Sequence, residues 1–262
     1  MGDILLYLFL GAVAGLMAGL LGIGGGLITV PALAYLLPGQ GIETGNVMHV
    51  AIGTSLAAMT VTTALSAYTH HRHGSVNWLA WRQLIGGLVV GSALGALMVD
   101  HLRSETLRIV FGVFELLLAA HIALGRQDAR RSALPSRGKV TLAGLAIGGV
   151  CALLGIGGGL FVVPYLLWYG VSIRSAVSTA AATGVAIAGA GAITFIILGL
   201  DAPHGGNTGG HIHLTAFAAI ALGSVVSAPL GATLAHRLPP QQLRRSFAFF
   251  IAVLGLIMVV GQ

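Results

Sequence analysis

Apolar residues fill most of this chain in ten segments that short polar breaks separate. The pattern predicts ten helices, at roughly 4–21, 27–37, 48–69, 80–99, 105–124, 140–154, 160–169, 175–198, 213–235 and 243–260. The longer segments approach the roughly 20 residues that cross the hydrocarbon core of a bilayer. Segments 27–37 and 160–169 would span only about 16 Å as helices, which is about half a membrane. The pattern therefore predicts an all-α integral membrane protein.

Composition supports a membrane location. Of 262 residues, 56% are hydrophobic and 8% are charged, against about 25% charged residues in ordinary soluble domains. The net charge of +6 raises the alternative of nucleic-acid binding, because basic patches neutralise phosphates. Since the Lys and Arg residues lie in short breaks between apolar segments, they are better interpreted as topology signals. We predict membrane lipid as the surroundings, with no nucleic-acid partner and no cofactor.

A glycine-rich sequence occurs twice in the chain. Residues 20–31 read LLGIGGGLITVP, and residues 153–164 read LLGIGGGLFVVP, 133 positions later. Two further blocks recur in the same order, with Thr54 matching Thr179 and LGALMVDHL at 94–102 matching LGATLAHRL at 230–238. We expect two transmembrane repeats, at 1–125 and 139–262, that a basic cytoplasmic linker at 126–138 joins.

The positions of the basic residues predict an orientation. The linker region 125–139 carries four arginines and a lysine, which places it in the cytoplasm by the positive-inside rule. Counting helices from the linker puts all other Lys and Arg residues except Arg103 and Arg108 on the same side. Corresponding loops of the two halves then face opposite sides, so the repeats are predicted to be inverted, as in many secondary transporters. Both termini are expected outside.

Each glycine-rich segment precedes one of the two short helices. The first N–H groups of a helix have no intrahelical partner and carry partial positive charge, and this makes a helix N-terminus an anion site. In lipid, irregular backbone is tolerated only inside protein or around a cavity. We predict a substrate site for a small anion near the bilayer midplane at Gly24, Gly25, Gly26, Gly157, Gly158 and Gly159. Glycines that only allow close helix packing are the alternative.

Hydroxyl groups near the starts of two corresponding helices, one in each half, are further candidates for the site. Thr54 and Ser55 lie early in one predicted helix, and Ser178 and Thr179 lie early in its counterpart. Such hydroxyls could donate hydrogen bonds to an anion, or bond back to a carbonyl one turn earlier in their own helix. Both alternatives stay open.

Glu115 is the acidic residue that the pattern places near the membrane centre. Intramembrane carboxylates are costly and are functional candidates by default. Glu115 could carry a proton that couples transport to the proton gradient, or it could be a neutral, hydrogen-bonded packing residue. Its counterpart is Ile251, so any coupling role belongs to one half.

Histidines cluster in two loops. His70, His71 and His73 lie in the predicted inner loop, and His204, His211 and His213 lie in a glycine-rich outer loop. No acidic or cysteine ligands accompany them at a zinc-site spacing. We expect solvated loop histidines and predict no metal.

The doubled LGIGGG motif with its following proline, together with Gly53-Thr54-Ser55-Leu56, resembles the TauE/SafE family of membrane anion permeases, also called sulfite exporters. The resemblance covers essentially the whole chain. It implies a secondary transporter, not an enzyme, that moves sulfite, sulfoacetate or related organosulfonates out across the bacterial inner membrane. Import, a small carboxylate substrate and a passive channel are the alternatives. A membrane enzyme is a less favoured alternative, because the sequence shows no nucleophile–base pair or metal cluster at a shared depth. The second half departs from the family pattern with Ser178-Thr179-Ala180 in place of Gly-Thr-Ser.

Overall fold

The computed structural model describes residues 2–21, 24–72, 75–124, 135–200, 207–235 and 240–260. Within these ranges the chain forms ten α-helices, and no end lies more than three residues from its predicted position. The prediction of ten helices is confirmed. The helices are α1 (Gly2–Leu21), α2 (Gly26–Leu36), α3 (Val47–Arg72), α4 (Trp78–Asp100), α5 (Ser104–Leu124), α6 (Arg137–Leu154), α7 (Gly159–Trp168), α8 (Ile173–Leu198), α9 (Leu214–Ala235) and α10 (Pro240–Val260).

Six of these helices are long and apolar enough to cross a bilayer, counted over the described ranges. They are α1, α3, α4, α6, α8 and α9. The short helices α2 and α7 are apolar but have only 11 and 10 residues. The prediction of an all-α chain with several candidate membrane spans is confirmed. Residues 126–134 of the predicted linker lie outside the described residues.

Glycines determine how the outer helices pack. Helix α1 packs along α9, and α4 packs along α6. A Cβ atom on Gly231 would overlap the Leu16 carbonyl, and one on Gly95 would overlap the Gly149 carbonyl. Between membrane helices apolar side chains gain little from burial, so small residues that let backbones approach closely favour association. These glycines therefore hold the two helix pairs at backbone contact.

Helices α3 and α8 pack against each other at the centre of the molecule. The apolar stretch of α3 is 67% buried, against 28% for α1, so α3 contacts protein on most sides while α1 lies at the periphery. At a second peripheral contact α5 packs on α10.

Hydrogen bonds between helices show which helix termini lie together at each of two opposite ends of the molecule. The Asn77 N–H donates to Thr179 Oγ1, and the Thr141 hydroxyl donates to the Gln83 carbonyl. The start of α4 thus meets the starts of α6 and α8, and we call this the Arg174 end. At the other end His49 in the first turn of α3 bonds to the Val99 carbonyl at the end of α4. We call that the His211 end.

Candidate functional site

A cavity of about 410 Å³ lies between the two glycine-rich segments and the central helices. Its lining contains Gly24 from the first glycine-rich segment and three glycines, Gly157, Gly158 and Gly159, from the second. The lining also includes Ile173 and Arg174 at the start of α8, both exposed. The cavity therefore connects the glycine segments with the surface at the Arg174 end.

The two glycine-rich segments contact each other directly. Gly24 has a φ of +76°, a left-handed conformation that glycine adopts without strain. A Cβ atom on Gly24 would lie 3.3 Å from the Gly157 Cα, and one on Gly26 would overlap the Gly155 carbonyl. Side chains at these positions would push the two segments apart.

The N-terminus of α7 borders the cavity without a side-chain cap. Gly158 is the N-cap residue, and no side chain bonds to the first-turn amides there. Helix α2 has the equivalent N-cap, Gly25, also without a side-chain hydrogen bond. Gly25 lies against Ala14 and lines a separate, water-sized cavity of about 10 Å³. The predicted glycines therefore divide, with Gly24, Gly157, Gly158 and Gly159 at the large cavity and Gly25 and Gly26 behind it.

Polar side chains in the cavity lining come mainly from α3. They are Thr62, Thr63, Ser66, Thr69 and His70 on α3, with Arg174 on α8. The Thr63 hydroxyl donates to the Met59 carbonyl, and the Thr62 hydroxyl bonds to Ser224 Oγ. Arg174 adds a full positive charge to the cavity mouth.

The four predicted hydroxyl residues lie outside the lining of the large cavity. All four are buried, and each takes part in hydrogen bonds that hold the fold. The Ser55 hydroxyl donates to the Gly155 carbonyl, and Thr54 Oγ1 accepts from the His213 N–H. The Ser178 and Thr179 hydroxyls donate to carbonyls one turn earlier in α8, which is the second of the two arrangements considered for them.

Thr54 and Thr179 make equivalent contacts at opposite ends. Thr54 accepts from the His213 N–H, and His213 Nδ1 accepts in turn from the Ala216 N–H at the start of α9. Thr179 accepts from the Asn77 N–H, and Asn77 Oδ1 accepts from the Ala80 N–H at the start of α4. Each threonine thus positions the residue that caps a long helix of the other half.

Glu115 is fully buried and does not line the cavity. It lies on α5 and packs against Gly255 of α10. A Cβ atom added to Gly255 would lie 2.9 Å from the Glu115 Cβ. Neither carboxyl oxygen has a hydrogen-bond partner among the described residues. The alternative of a neutral, hydrogen-bonded packing residue therefore has no hydrogen-bond partner for Glu115 among the described residues.

The expectation of solvated histidines in the outer loop is wrong for His211 and His213. Both are 3% exposed, because the loop before α9 folds onto α3 and the end of α4. Burial lowers the pKa of His213, since an imidazolium loses hydration there. In the other cluster, His70 is half-buried and lines the cavity, and His71 is exposed. His73 and His204 lie outside the described residues.

Sequence reasoning missed the polar residues of α3 that line the cavity. Thr62, Thr63, Ser66, Thr69 and His70 occur within nine residues of one apolar segment. Recurrence of polar residues in a membrane segment predicts a face turned toward protein or water, and that signal was available. Their proximity to the second glycine segment depends on packing between halves, which the sequence does not encode locally.

Comparison with known proteins gives one family over nearly the whole chain. The family model described as sulfite exporter TauE/SafE matches residues 7–258. A probable membrane transporter protein of Haemophilus influenzae is 34% identical over 258 residues, with 97% of each chain covered. A probable membrane transporter protein of Methanocaldococcus jannaschii is 26% identical, with 97% of this chain and 95% of the relative covered. No solved structure matches significantly.

Proposed function

Because the chain belongs to the sulfite exporter TauE/SafE family of membrane transporters, we propose that it carries a small anion across the membrane by alternating access. The proposed substrate is a sulfur oxyanion or organosulfonate, such as sulfite or sulfoacetate, and the proposed direction is export across a bacterial inner membrane. The cavity between the glycine segments is the observation on which the proposal rests.

The chemistry of the cavity favours a small anion with several acceptor oxygens. The uncapped N-terminus of α7 offers backbone donors and partial positive charge. Gly157, Gly158 and Gly159 let a ligand approach those donors closely, because they have no Cβ atoms. Arg174 at the mouth attracts anions from solution. A volume of about 410 Å³ lies within the range of small-ligand sites and leaves room for water around so small a substrate.

Pairs of equivalent contacts support the proposed division into two repeats, 1–125 and 139–262. Helix α1 packs on α9 as α6 packs on α4, an arrangement that is unchanged when the halves are exchanged. Close glycine contacts recur at the offsets of the repeated sequences. The pairs are Gly11 on Ile220 with Gly144 on Leu84, Gly15 on Ser224 with Gly148 on Leu88, Gly223 on Leu8 with Gly87 on Thr141, and Gly231 on Leu16 with Gly95 on Gly149.

Basic residues at the Arg174 end support an orientation with that end in the cytoplasm. Arg72, Arg82, Arg137 and Lys139 lie on helix ends that meet there, together with Arg174. In this orientation the repeats are inverted, both termini face outward, and the cavity accepts anions from the cytoplasm. That access agrees with export.

A flux assay in proteoliposomes tests the substrate class. Purified protein is assayed with sulfite, sulfoacetate, thiosulfate, sulfate, chloride and acetate as the transported anion. We expect saturable flux of sulfite or sulfoacetate, with little flux of chloride or acetate. Acetate as the best substrate would replace the proposed class with carboxylates, and flux of none of the six would overturn the proposal.

The variant Arg174→Gln tests the role of the cavity mouth in the same assay. Removing the positive charge should raise KM for transport from the Arg174 side about tenfold, with a smaller effect on the maximal rate, because charge attraction acts mainly on anion capture. Arg103→Gln is the matched control, since Arg103 is exposed and lies at the opposite end. An unchanged KM in Arg174→Gln would contradict the placement of the anion path.

A further inference from the structure

Three elements meet at the His211 end and close that side of the molecule. They are the first turn of α3, the last turn of α4 and the loop before α9. His49 Nε2 lies 3.0 Å from the Val99 carbonyl, and His211 Nε2 lies 3.4 Å from Asp100 Oδ1. The two imidazoles face each other with ring centroids 5.5 Å apart. We call His49, Asp100 and His211 the histidine latch.

We propose that the histidine latch is a proton-binding gate that holds the His211 end closed when a proton is bound. The inference rests on the proposed alternating access, because an outward-open state requires these three elements to separate. A bound proton makes His211 a cation beside the Asp100 carboxylate, and the attraction between them is then lost on opening. Without the proton this attraction is absent, and opening becomes easier.

The burial of the latch makes the charge state matter. His49 is 5% exposed, and the side chain of His211 is 4% exposed, while that of Asp100 is 32% exposed. Bulk water and salt therefore screen the pair less than a surface ion pair. The exposed part of Asp100 gives protons from the His211 side a route to the pair.

The groups facing His211 come from three helices. Helix α3 contributes His49, α4 contributes Asp100, and α8 contributes the uncharged ring of Phe195, 6.0 Å from the His211 ring. In the loop itself, His213 lies two residues after His211, where it caps α9 and contacts the ring of Tyr7 on α1. His101 and Arg103, which follow Asp100, are exposed. Asp100 is thus the acidic partner that this geometry gives His211.

The latch is assigned to protons and not to a metal ion. Within the described ranges, no group of three His, Cys, Asp or Glu side chains is arranged to hold a metal. His49 already uses Nε2 on a backbone carbonyl, so its ring positions the His211 ring. His211 and Asp100 then form the pair that changes charge.

Accessibility of the cavity measures the latch without requiring a transported anion. Cys151, the chain's one cysteine, is replaced by alanine, and Ala181 in the cavity lining is replaced by cysteine. Vesicles with the Arg174 end facing the bulk solution are labelled with a membrane-impermeant maleimide. Bulk pH is kept constant while lumenal pH, which reaches the His211 end, is varied from about 8 to about 5.5 around the ordinary histidine pKa. His70 at the Arg174 end therefore keeps its charge state.

We expect the labelling rate to rise as lumenal pH falls, on the order of fivefold across the range, because a protonated latch keeps the cavity open to the bulk. Asp100→Asn should make labelling independent of lumenal pH. Glu105→Gln is the control, since Glu105 is an exposed carboxylate near the same end, and it should keep the wild-type response. His49→Gln keeps a donor for Val99 and should also respond.

A pH-independent wild type, or a full response in Asp100→Asn, would overturn the proposal. A lost response in His49→Gln, together with a retained response in Asp100→Asn, would identify His49 as the group that binds the proton. That result would overturn the assignment to His211 and Asp100. A pH response together with absent anion flux would leave the latch in place and overturn only the proposed anion transport. The two proposals therefore fail separately.

Discussion

At the scale of single residues, His213 and Asn77 perform one task with different chemistry. Both accept a hydrogen bond from the N–H three residues on, and both donate their own N–H to a threonine of the other half. Asn77 is neutral at every pH, whereas the cap at His213 requires an unprotonated Nδ1. The start of α9 should therefore depend on pH, and the start of α4 should not.

The variant His213→Asn tests this difference. Burial lowers the pKa of His213 in the folded protein, so its contribution to stability is complete above the unfolded value, about 6.5, and is lost as pH falls through the folded value. His213→Asn should weaken the acid destabilisation, whereas His213→Ala should lower stability by about 1 kcal/mol at neutral pH. Thermal unfolding in detergent between pH 4.5 and 8 measures both. Identical pH profiles for wild type and His213→Asn would contradict the capping role.

Glu115 is the second residue that calls for a test, because its buried carboxyl has no hydrogen-bond partner among the described residues. We predict that Glu115→Gln uncouples anion flux from an imposed proton gradient while anion exchange continues, since an amide cannot carry the proton. Flux with and without the gradient is measured in proteoliposomes, with Glu105→Gln as the control. Normal proton dependence in Glu115→Gln would remove the coupling role, and the latch assay should be unaffected by this variant.

The limits of sequence reasoning are clearest at this scale. Thr54, Ser55, Ser178 and Thr179 stood out because they are polar residues near the starts of two corresponding apolar segments. Their partners outside their own helices, such as the Gly155 carbonyl for Ser55 and the Asn77 N–H for Thr179, lie a hundred or more residues away, and no local pattern identifies them. The burial of His211 was missed for the same reason, because a glycine-rich loop carries no signal of the helices that it packs against.

At the scale of elements, the sequence predicted the glycine segments and the short helices after them well. Their repetition identified both short helices, α2 and α7, within one residue at each end. It could not distinguish the glycines at the cavity from those behind it, because that difference arises where the two segments touch. Gly24 has both a positive φ and a place in the cavity lining.

The variant Gly24→Ala tests whether the first glycine-rich segment forms part of the anion site, with one other glycine as the control. A methyl group there would lie 3.0 Å from the Met59 methyl and 3.3 Å from the Gly157 Cα, in a backbone conformation that alanine rarely adopts. We expect anion flux to fall by more than tenfold. Gly45→Ala is the control, since a Cβ atom at Gly45 meets nothing within 4 Å, and its flux should match the wild type. Equal flux in the two variants would show that the segment does not form the site.

At the scale of the whole molecule, the packing of helices is what the sequence could not provide. Apolar periodicity located each helix, but nearly uniform hydrophobicity left no stripe to say which helix faces which. The contacts of α1 with α9 and of α4 with α6 join helices from different halves. The halves therefore contact each other extensively, and the cavity forms between them.

The orientation in the membrane is a property of the whole molecule, and both the basic residues and the helix packing bear on it. The charges in the breaks predicted one cytoplasmic side, and the structure brings Arg72, Arg82 and Arg174 to a single end. A reporter enzyme fused after Gln262 should be active outside the cytoplasm, because the predicted inverted topology puts both termini there. A fusion active only in the cytoplasm would contradict this orientation.

The central claim is that one anion site is exposed to the two sides in turn, and counterflow tests it most directly. Proteoliposomes loaded with unlabelled sulfite are diluted into a trace of radiolabelled sulfite, and internal label is followed over time. A carrier predicts transient accumulation of label above its external concentration, with saturation as external sulfite rises, and loss of both in Gly24→Ala but not in Gly45→Ala. Linear flux without accumulation would indicate a channel and contradict the account.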